Sequence, residues 1–332
     1  MDNLDKQILT AIQSDLPVTE HPFDAAAARL GIGAAEVIDR VGRLLADGVI
    51  RRLGPVFDSR RLGYVSTLVA AKVPADRLEE VAATVNRLAG VTHNYARRGA
   101  YNLWFTLTEA SQAALDGTLE RLRSETGISE FHSLPALTVY KIRVHFDLTD
   151  GEPERAEERG GSGDPPRNNS ERPARALPLT DEQKEFVRLI QEGLRPQRDP
   201  FAAIAERLGW PEARVVEQIR EWVDAGVIRR FGAVVQHQKL GYRAGGLAVF
   251  CVPPEKVDAA GETLAKHPEV SHCYRRPPLP DFPYNLFAMT HGRSEEAVRR
   301  TVERLAEEAG LTDYAVLFSV RELKKTSMRY FT

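Results

Sequence analysis

Two short segments hold the residue types best suited to moving protons and binding anions. Residues 91–98 read VTHNYARR and residues 270–276 read VSHCYRR. Alternate residues of a β-strand share a face, so His93, Tyr95 and Arg97 would form one row and His272, Tyr274 and Arg276 another. Imidazole is the usual side chain for proton transfer near neutral pH. Guanidinium presents a planar fork that grips a carboxylate with two parallel N–H groups. Further arginine pairs, Arg51-Arg52 and Arg229-Arg230, follow a shared Gly-Val-Ile turn, while Arg98 and Arg275 complete the pairs in the strand segments. A single such pair could touch phosphate or be solvated charge, and a lone histidine could be a core residue. Four Arg-Arg pairs at matching positions argue instead for an anion site. Tyr101-Asn102 and Tyr284-Asn285 recur just downstream, within YNLW and YNLF. One histidine, His237, stands where the first copy has Ser59.

These matches belong to a repeat that spans the chain. GVIRRLGPVFDSRRLGY is echoed by GVIRRFGAVVQHQKLGY, so Ile50 maps onto Ile228 and Gly63-Tyr64 onto Gly241-Tyr242. The second copy also carries a Pro-rich insertion, PPLPDFP, before its Tyr-Asn pair. A unit of this length is too long for a solenoid and reads as duplication and fusion. Between the copies, residues 149–178 are rich in Gly, Pro and charge and poor in large apolar residues, which predicts a flexible linker.

Each half divides again. Leu4, Ile8, Leu9 and Ile12, then Ala25 to Leu30, then Val37, Val41, Leu44 and Leu45 recur at helical spacing, with Gly31 and Gly33 marking a helix-turn-helix. VIRRLGPVFD reads as a wing. The segments that follow alternate as strand, helix, strand, strand, helix, strand, a ferredoxin-like βαββαβ plan. The expected class is α+β. Winged helix-turn-helix domains are expected at 1–62 and 179–240, and ferredoxin-like domains at 63–148 and 241–332.

Composition narrows the function. The 332 residues are 42% hydrophobic and 28% charged, with a net charge of −2, so no whole-chain attraction to nucleic acid is expected. The two cysteines, Cys251 and Cys273, form no CxxC pattern, which argues against a structural metal site and for a reducing compartment. The opening MDNLDKQILTAIQ lacks the apolar stretch of a signal peptide, and no run would span a bilayer, so a cytoplasmic location is expected.

A winged helix followed by a βαββαβ domain resembles the Lrp/AsnC superfamily. Within it, the His-x-Tyr-x-Arg and Tyr-Asn-Leu-(Trp/Phe) combination, present twice, is similar to the siroheme decarboxylases of haem and d-type haem biosynthesis. The resemblance implies an intramolecular pseudo-dimer, in which the fused copies replace two subunits. It also implies removal of carbon dioxide from two acetate side chains of siroheme, yielding didecarboxysiroheme. No external redox cofactor is needed if a general acid first protonates the ring, and the iron arrives with the substrate. On this reading siroheme and related iron tetrapyrroles are the partners, membrane and DNA are not, and further self-association is open.

The resemblance suggests His237 and His272 as the essential acids in the second copy, with His93 as a third. It suggests Arg51, Arg52, Tyr95, Arg97, Arg98, Arg229, Arg230, Tyr274, Arg275, Arg276, Tyr284 and Asn285 as substrate-binding residues. No protein metal site is expected, although a histidine serving as axial ligand to the substrate iron stays open. His132, His145, His267 and His291 read as surface or strand residues, and Trp104 and Phe287 as core. The rival is an Lrp-type regulator binding DNA and a small effector. It needs a basic recognition helix, whereas AAEVIDRVGRLLA and EARVVEQIREWVD mix both signs of charge. A tetrapyrrole sensor without catalysis would use the same site.

Overall fold

The computed structural model describes residues 1–142, 176–236 and 244–332. His237, His145 and nearly all of the expected 149–178 linker lie outside the described residues. The first copy opens with helices α1 (Asn3–Ser14), α2 (Pro22–Leu30) and α3 (Ala34–Ala46). Asp2 and Asp5 form a reciprocal capping box at the start of α1, and Gly31 closes α2 in the left-handed conformation that a Cβ disfavours. Strand β1 (Ile50–Phe57) leads into β2 (Val65–Ala71), α4 (Leu78–Asn86), β3 (Val91–Arg97), β4 (Leu103–Glu109) and α5 (Gln112–Thr126). The copy ends with β5 (Phe131–Pro135) and β6 (Thr138–Ile142).

The second copy repeats the plan with α6 (Asp181–Ile190), α7 (Ala202–Leu208), α8 (Glu212–Asp224) and β7 (Ile228–Val235). Its ferredoxin-like part is β8 (Ala244–Phe250), α9 (Val257–Lys266), β9 (Val270–Arg275), β10 (Leu286–Gly292), α10 (Glu295–Glu308) and β11 (Tyr314–Lys325). The α+β class and the two tandem copies are as the sequence led us to expect.

The halves are woven together rather than laid side by side. One sheet runs β5-β2-β4-β3-β11-β8-β10-β9-β6. Its Tyr314–Phe318 segment pairs with β8 of its own copy, while Ser319–Lys325 pairs with β3 of the other. The same exchange occurs at β5 and β6, where β5 pairs with β2 and β6 crosses to β9. One face of this sheet packs on helices, with Val69, Leu103 and Leu107 against Val81, Val85 and Leu119. The opposite face carries Trp104, Leu134, Leu247, Val249, Phe282 and Phe287, one apolar cluster drawn from both copies.

The segment read as a wing is β1, and it forms no hairpin of its own. It pairs antiparallel with β7, centred on Gly54 opposite Gly232. The apolar side of a single such strand would be left in water, and pairing with its twin buries Leu53, Phe57, Ile228 and Phe231 in one core with both helical domains. Gly54 is required by its positive φ of 140° and Gly232 by close approach. A Cβ on Gly232 would lie 2.3 Å from the Ile12 carbonyl oxygen of α1.

Substituting Gly232→Ala should therefore push α1 off β7 and cost about 1–3 kcal/mol. Urea denaturation would show a lower midpoint, and an unchanged midpoint would contradict this packing.

Candidate active site

A cavity of about 800 Å³ opens between the halves, within the size range of cofactor and small-molecule sites. Its walls come from β1 to β4 and β7 to β11, together with Thr326, Ser327, Met328 and Tyr330. Those last residues are tied to the helical domain. Gln191 exchanges two hydrogen bonds with the Tyr330 backbone, at 2.8 and 3.1 Å, and the Tyr330 hydroxyl meets Ser59 Oγ at 2.8 Å. Ser59, the counterpart of His237, is thus engaged by the C-terminal segment of the other copy.

Strand alternation brings both predicted rows to this cavity, His93, Tyr95 and Arg97 from β3 and His272, Tyr274 and Arg276 from β9. Within each row the rings lie 6.4 Å (His93–Tyr95) and 6.1 Å (His272–Tyr274) apart. Each row's arginine lies over its tyrosine, Arg97 at 5.4 Å and Arg276 at 4.7 Å from the ring centroid. Arg51, Arg52 and Arg230 line the cavity as well.

Four of these arginines donate to backbone carbonyls. Arg97 donates to Leu317 at 2.6 Å, Arg230 to Gln13 at 2.6 Å, Arg52 to Pro55 at 2.6 Å, and Arg276 to Leu134. These bonds leave donors over. Nε of Arg52, Arg97 and Arg276, and Nη1 of Arg52, are buried with no hydrogen-bond partner among the described residues. Burial pushes all three guanidinium groups down to about 10, so they stay cationic at neutral pH. A buried cation with unused donors is costly unless an anion completes it.

Five predicted binding residues stand elsewhere. Arg98 is exposed and pairs with Glu295 at 3.2 Å, and Arg275 faces Asp258 at 3.8 Å. Arg229 crosses to the first copy and binds Asp58 at 3.0 Å. That carboxyl, also held by Arg60, sits at about 2 despite its burial. Asn285 caps the Val252 peptide through its N–H (3.0 Å) and C=O (2.7 Å), and Asn102 does the same at Val73 (2.9 and 2.7 Å). Tyr284 packs on Phe282 at 4.9 Å. The Tyr-Asn signal therefore marks a structural latch of the fold.

Reading His291 as an ordinary strand residue missed part of the site. Phe287, Met289 and His291 alternate along β10 and all line the cavity, whereas Leu286, Ala288 and Thr290 are fully buried. The period of two was legible in FAMTH. Ser271 Oγ lies 2.9 Å from His272 Nδ1, 2.9 Å from His291 Nε2 and 3.2 Å from the Met289 carbonyl. A hydroxyl has one proton and two lone pairs, so donation to Met289 lets it accept from both imidazoles. His272 would then turn a bare Nε2 away from Ser271. In the first copy Thr92 similarly contacts His93 Nδ1 at 2.9 Å, but its further neighbour is the Thr106 hydroxyl at 3.0 Å.

An acid poised near neutrality was the expectation, and burial among these cations gives the opposite. Burial, followed by the charges of Lys325 and Arg51, lowers His93 to about 4. Burial, followed by His291, His93, Arg229 and Arg276, lowers His272 to about 3. Burial and Lys325 lower His291 to about 4. All three imidazoles are therefore neutral at pH 7.

Comparison with known proteins agrees with this architecture. Residues 5–51 and 183–229 match the siroheme decarboxylase NirDL-like HTH domain, and residues 61–141 and 239–324 match the AsnC-like ligand binding domain. The chain is 34% identical to a siroheme decarboxylase of Hydrogenobacter thermophilus, covering 100% of this chain and 96% of that one. It is 37% identical to the siroheme decarboxylase NirDL subunit of Paracoccus denitrificans, covering 97% and 95%. A solved structure of siroheme decarboxylase NirDL in complex with an iron-uroporphyrin III analogue superposes with a TM-score of 0.74 at 32% identity, covering 100% and 95%. On full-length identity, matched domains and shared tertiary structure, the chain belongs to the siroheme decarboxylase family.

Proposed function

We propose that this cavity binds siroheme and removes carbon dioxide from two of its acetate side chains, yielding didecarboxysiroheme. The observation that carries this reading is the gathering of the guanidinium groups of Arg52, Arg97 and Arg276, with Arg51 and Arg230, around one cavity, cationic donors suited to a polyanion. Siroheme is a flat macrocycle ringed by carboxylates, and the cavity pairs those donors with the aromatic faces of Tyr95, Tyr274, Trp104 and Phe287.

Each cycle exchanges a carboxylate for a proton. Protonation of the ring creates an electron sink, the bond between the acetate methylene and carboxylate carbons breaks, and its electrons flow into the ring. Carbon dioxide leaves, and the methylene carbon ends as a methyl group after net uptake of one proton. No oxidant or reductant enters this balance, so the reading requires no separate redox cofactor. The protons are assigned to His272, with His291 behind it through Ser271, and to His93. Incoming carboxylates would neutralise the cations around these imidazoles and raise their proton affinity, coupling acid formation to substrate binding.

A cytoplasmic location is part of the reading, in keeping with two cysteines that form no disulfide. Among the described residues no helix is long and apolar enough to cross a membrane. A DNA-binding role is disfavoured by the helix that would enter the groove. Arg40 of α3 is held by Asp2 (2.7 Å), Asp5 (2.9 Å) and Glu36 (3.0 Å), and Arg43 by Asp5 (2.8 Å). Cations so engaged have little left for phosphate.

Anaerobic incubation with siroheme followed by mass analysis should show loss of two carbon dioxide units. His272→Ala should lower kcat by about 10²–10⁴-fold, the usual contribution of a general acid, and His291→Ala by a smaller factor. Siroheme that binds but stays intact would support a sensor instead, and absence of binding would defeat the reading.

Acid should destabilise the empty protein. The histidines have folded values below their ordinary 6.5, so the unfolded chain binds more protons as pH drops from 6.5 toward about 4. Stability is full above 6.5 and is lost below it, by about 2 kcal/mol per histidine at pH 5. Urea titrations at several pH values would show this slope, and bound tetrapyrrole should flatten it. A flat profile for the empty protein would refute neutral, buried imidazoles.

A further inference from the structure

Strand register aligns β2 and β4 of the first copy with β8 and β10 of the second, since the Asn102 and Asn285 N–H groups bond the Ala71 and Phe250 carbonyls at matching places. Ser66 then stands opposite Thr108, and Gly245 opposite His291. The Ser66 and Thr108 hydroxyls share a hydrogen bond of 2.8 Å. In the second copy one side chain of this pair is gone and the other is an imidazole. Gly245 is not among the glycines with positive φ, so its backbone does not call for glycine. What it leaves is space. A Cβ there would lie 2.9 Å from Met289 Cε and 3.7 Å from His291 Nδ1, and a side chain branched at Cβ would press on the imidazole itself.

That space lets His291 reach Ser271. A carbonyl can only accept, so the Ser271 proton goes to Met289 at 3.2 Å, and the oxygen's lone pairs face the two imidazoles at 2.9 Å. Lone pair would repel lone pair, so the ring nitrogens there carry hydrogen, Nδ1 on His272 and Nε2 on His291. The proton's place on a histidine is set by the bond its other nitrogen makes, and His272 keeps one exchangeable nitrogen, Nε2. In the first copy the second neighbour of Thr92 is the Thr106 hydroxyl, which can give or take, so His93 is not fixed in the same way.

We propose that Ser271 and Gly245 are positioning residues for the proton transfer: the hydroxyl keeps hydrogen on His272 Nδ1 and ties that ring to His291, for which Gly245 makes room. This deepens the siroheme reading and rests on it. Two imidazoles on one oxygen titrate as a coupled pair, so charge on one disfavours charge on the other. When His272 Nε2 gains a proton, Ser271 accepts from the resulting imidazolium and favours it. When the Nε2–H bond breaks and its proton passes to the substrate ring, the bonding pair stays on Nε2, Nδ1–H stays intact and the imidazole is neutral again.

The first readout needs no substrate. Imidazole nitrogen NMR of the full-length protein at pH 7, assigned with His272→Gln and His291→Gln, should show hydrogen on Nδ1 of His272 and on Nε2 of His291. Ser271→Ala should leave both rings with mixed tautomers, and Ser271→Thr, the residue of the first copy, should restore them. Gly245→Val should change the His291 signals and spare the His272 tautomer. In siroheme turnover, Ser271→Ala should lower kcat about tenfold with KM little changed, and move the descending limb of the kcat–pH profile down by about one unit, because the imidazolium loses an acceptor. Lys325 of β11, His93 of β3, Arg229 of β7 and Arg276 of β9 act on the pair and are the same in Ser271→Ala, so the shift reads the hydroxyl. Hydrogen on His272 Nε2 in wild type, or tautomers and profile unmoved by Ser271→Ala, overturns the proposal. The expected tautomers in a wild type that leaves siroheme intact overturn the siroheme reading instead.

Discussion

Strand exchange is the constraint from which the rest of this molecule follows. In each copy the final strand starts in its own sheet and finishes in the other's, so neither ferredoxin-like half completes its hydrogen bonding alone. The β1–β7 pair repeats this dependence in the helical region, where both domains share one core. A cavity between the halves is therefore walled by strands that cannot slide without breaking backbone ladders. That rigidity suits a site whose work is electrostatic, because donors held in place need not reorganise when charge develops.

Guanidinium groups stacked on tyrosines and fastened to carbonyls are positioned at the cost of burial, with donors left over. Imidazoles placed among them lose their protons. Carboxylates of the proposed substrate would meet the arginines and would also favour imidazolium.

Duplication supplied two equal halves, and small differences have made them unequal. Ser271 links two imidazoles where Thr92 links an imidazole to a hydroxyl. Asp58 binds Arg229 and Arg60 where its counterpart Gln236 carries no charge. The Pro-rich insertion of the second copy sets Asp281 against Lys72 and Tyr101 and lays Phe282 on Trp104, fastening one half to the other. None of these changes alters the fold, because each sits at a strand end or a loop.

Much of the molecule was legible in its residues. Helical spacing and strand alternation are local properties, so the helices, the βαββαβ order and the two His-Tyr-Arg rows could be read directly. Repetition of whole segments made the duplication plain, and the matched motifs carried the family and, with it, the expected pseudo-dimer. Spatial proximity was not legible. Arg51 and Arg229 are identical in local sequence, and only the cross-half approach of Asp58 separates them. Asn285 resembled a binding residue until its amide was seen closing the Val252 peptide. Lys325 and His291 belong to no motif, and they reach the cavity because strand register sets them there. Sequence determined the elements and which face each residue takes. Tertiary structure decided which charges meet, because Coulomb energy and desolvation depend on distances between segments that local pattern does not encode.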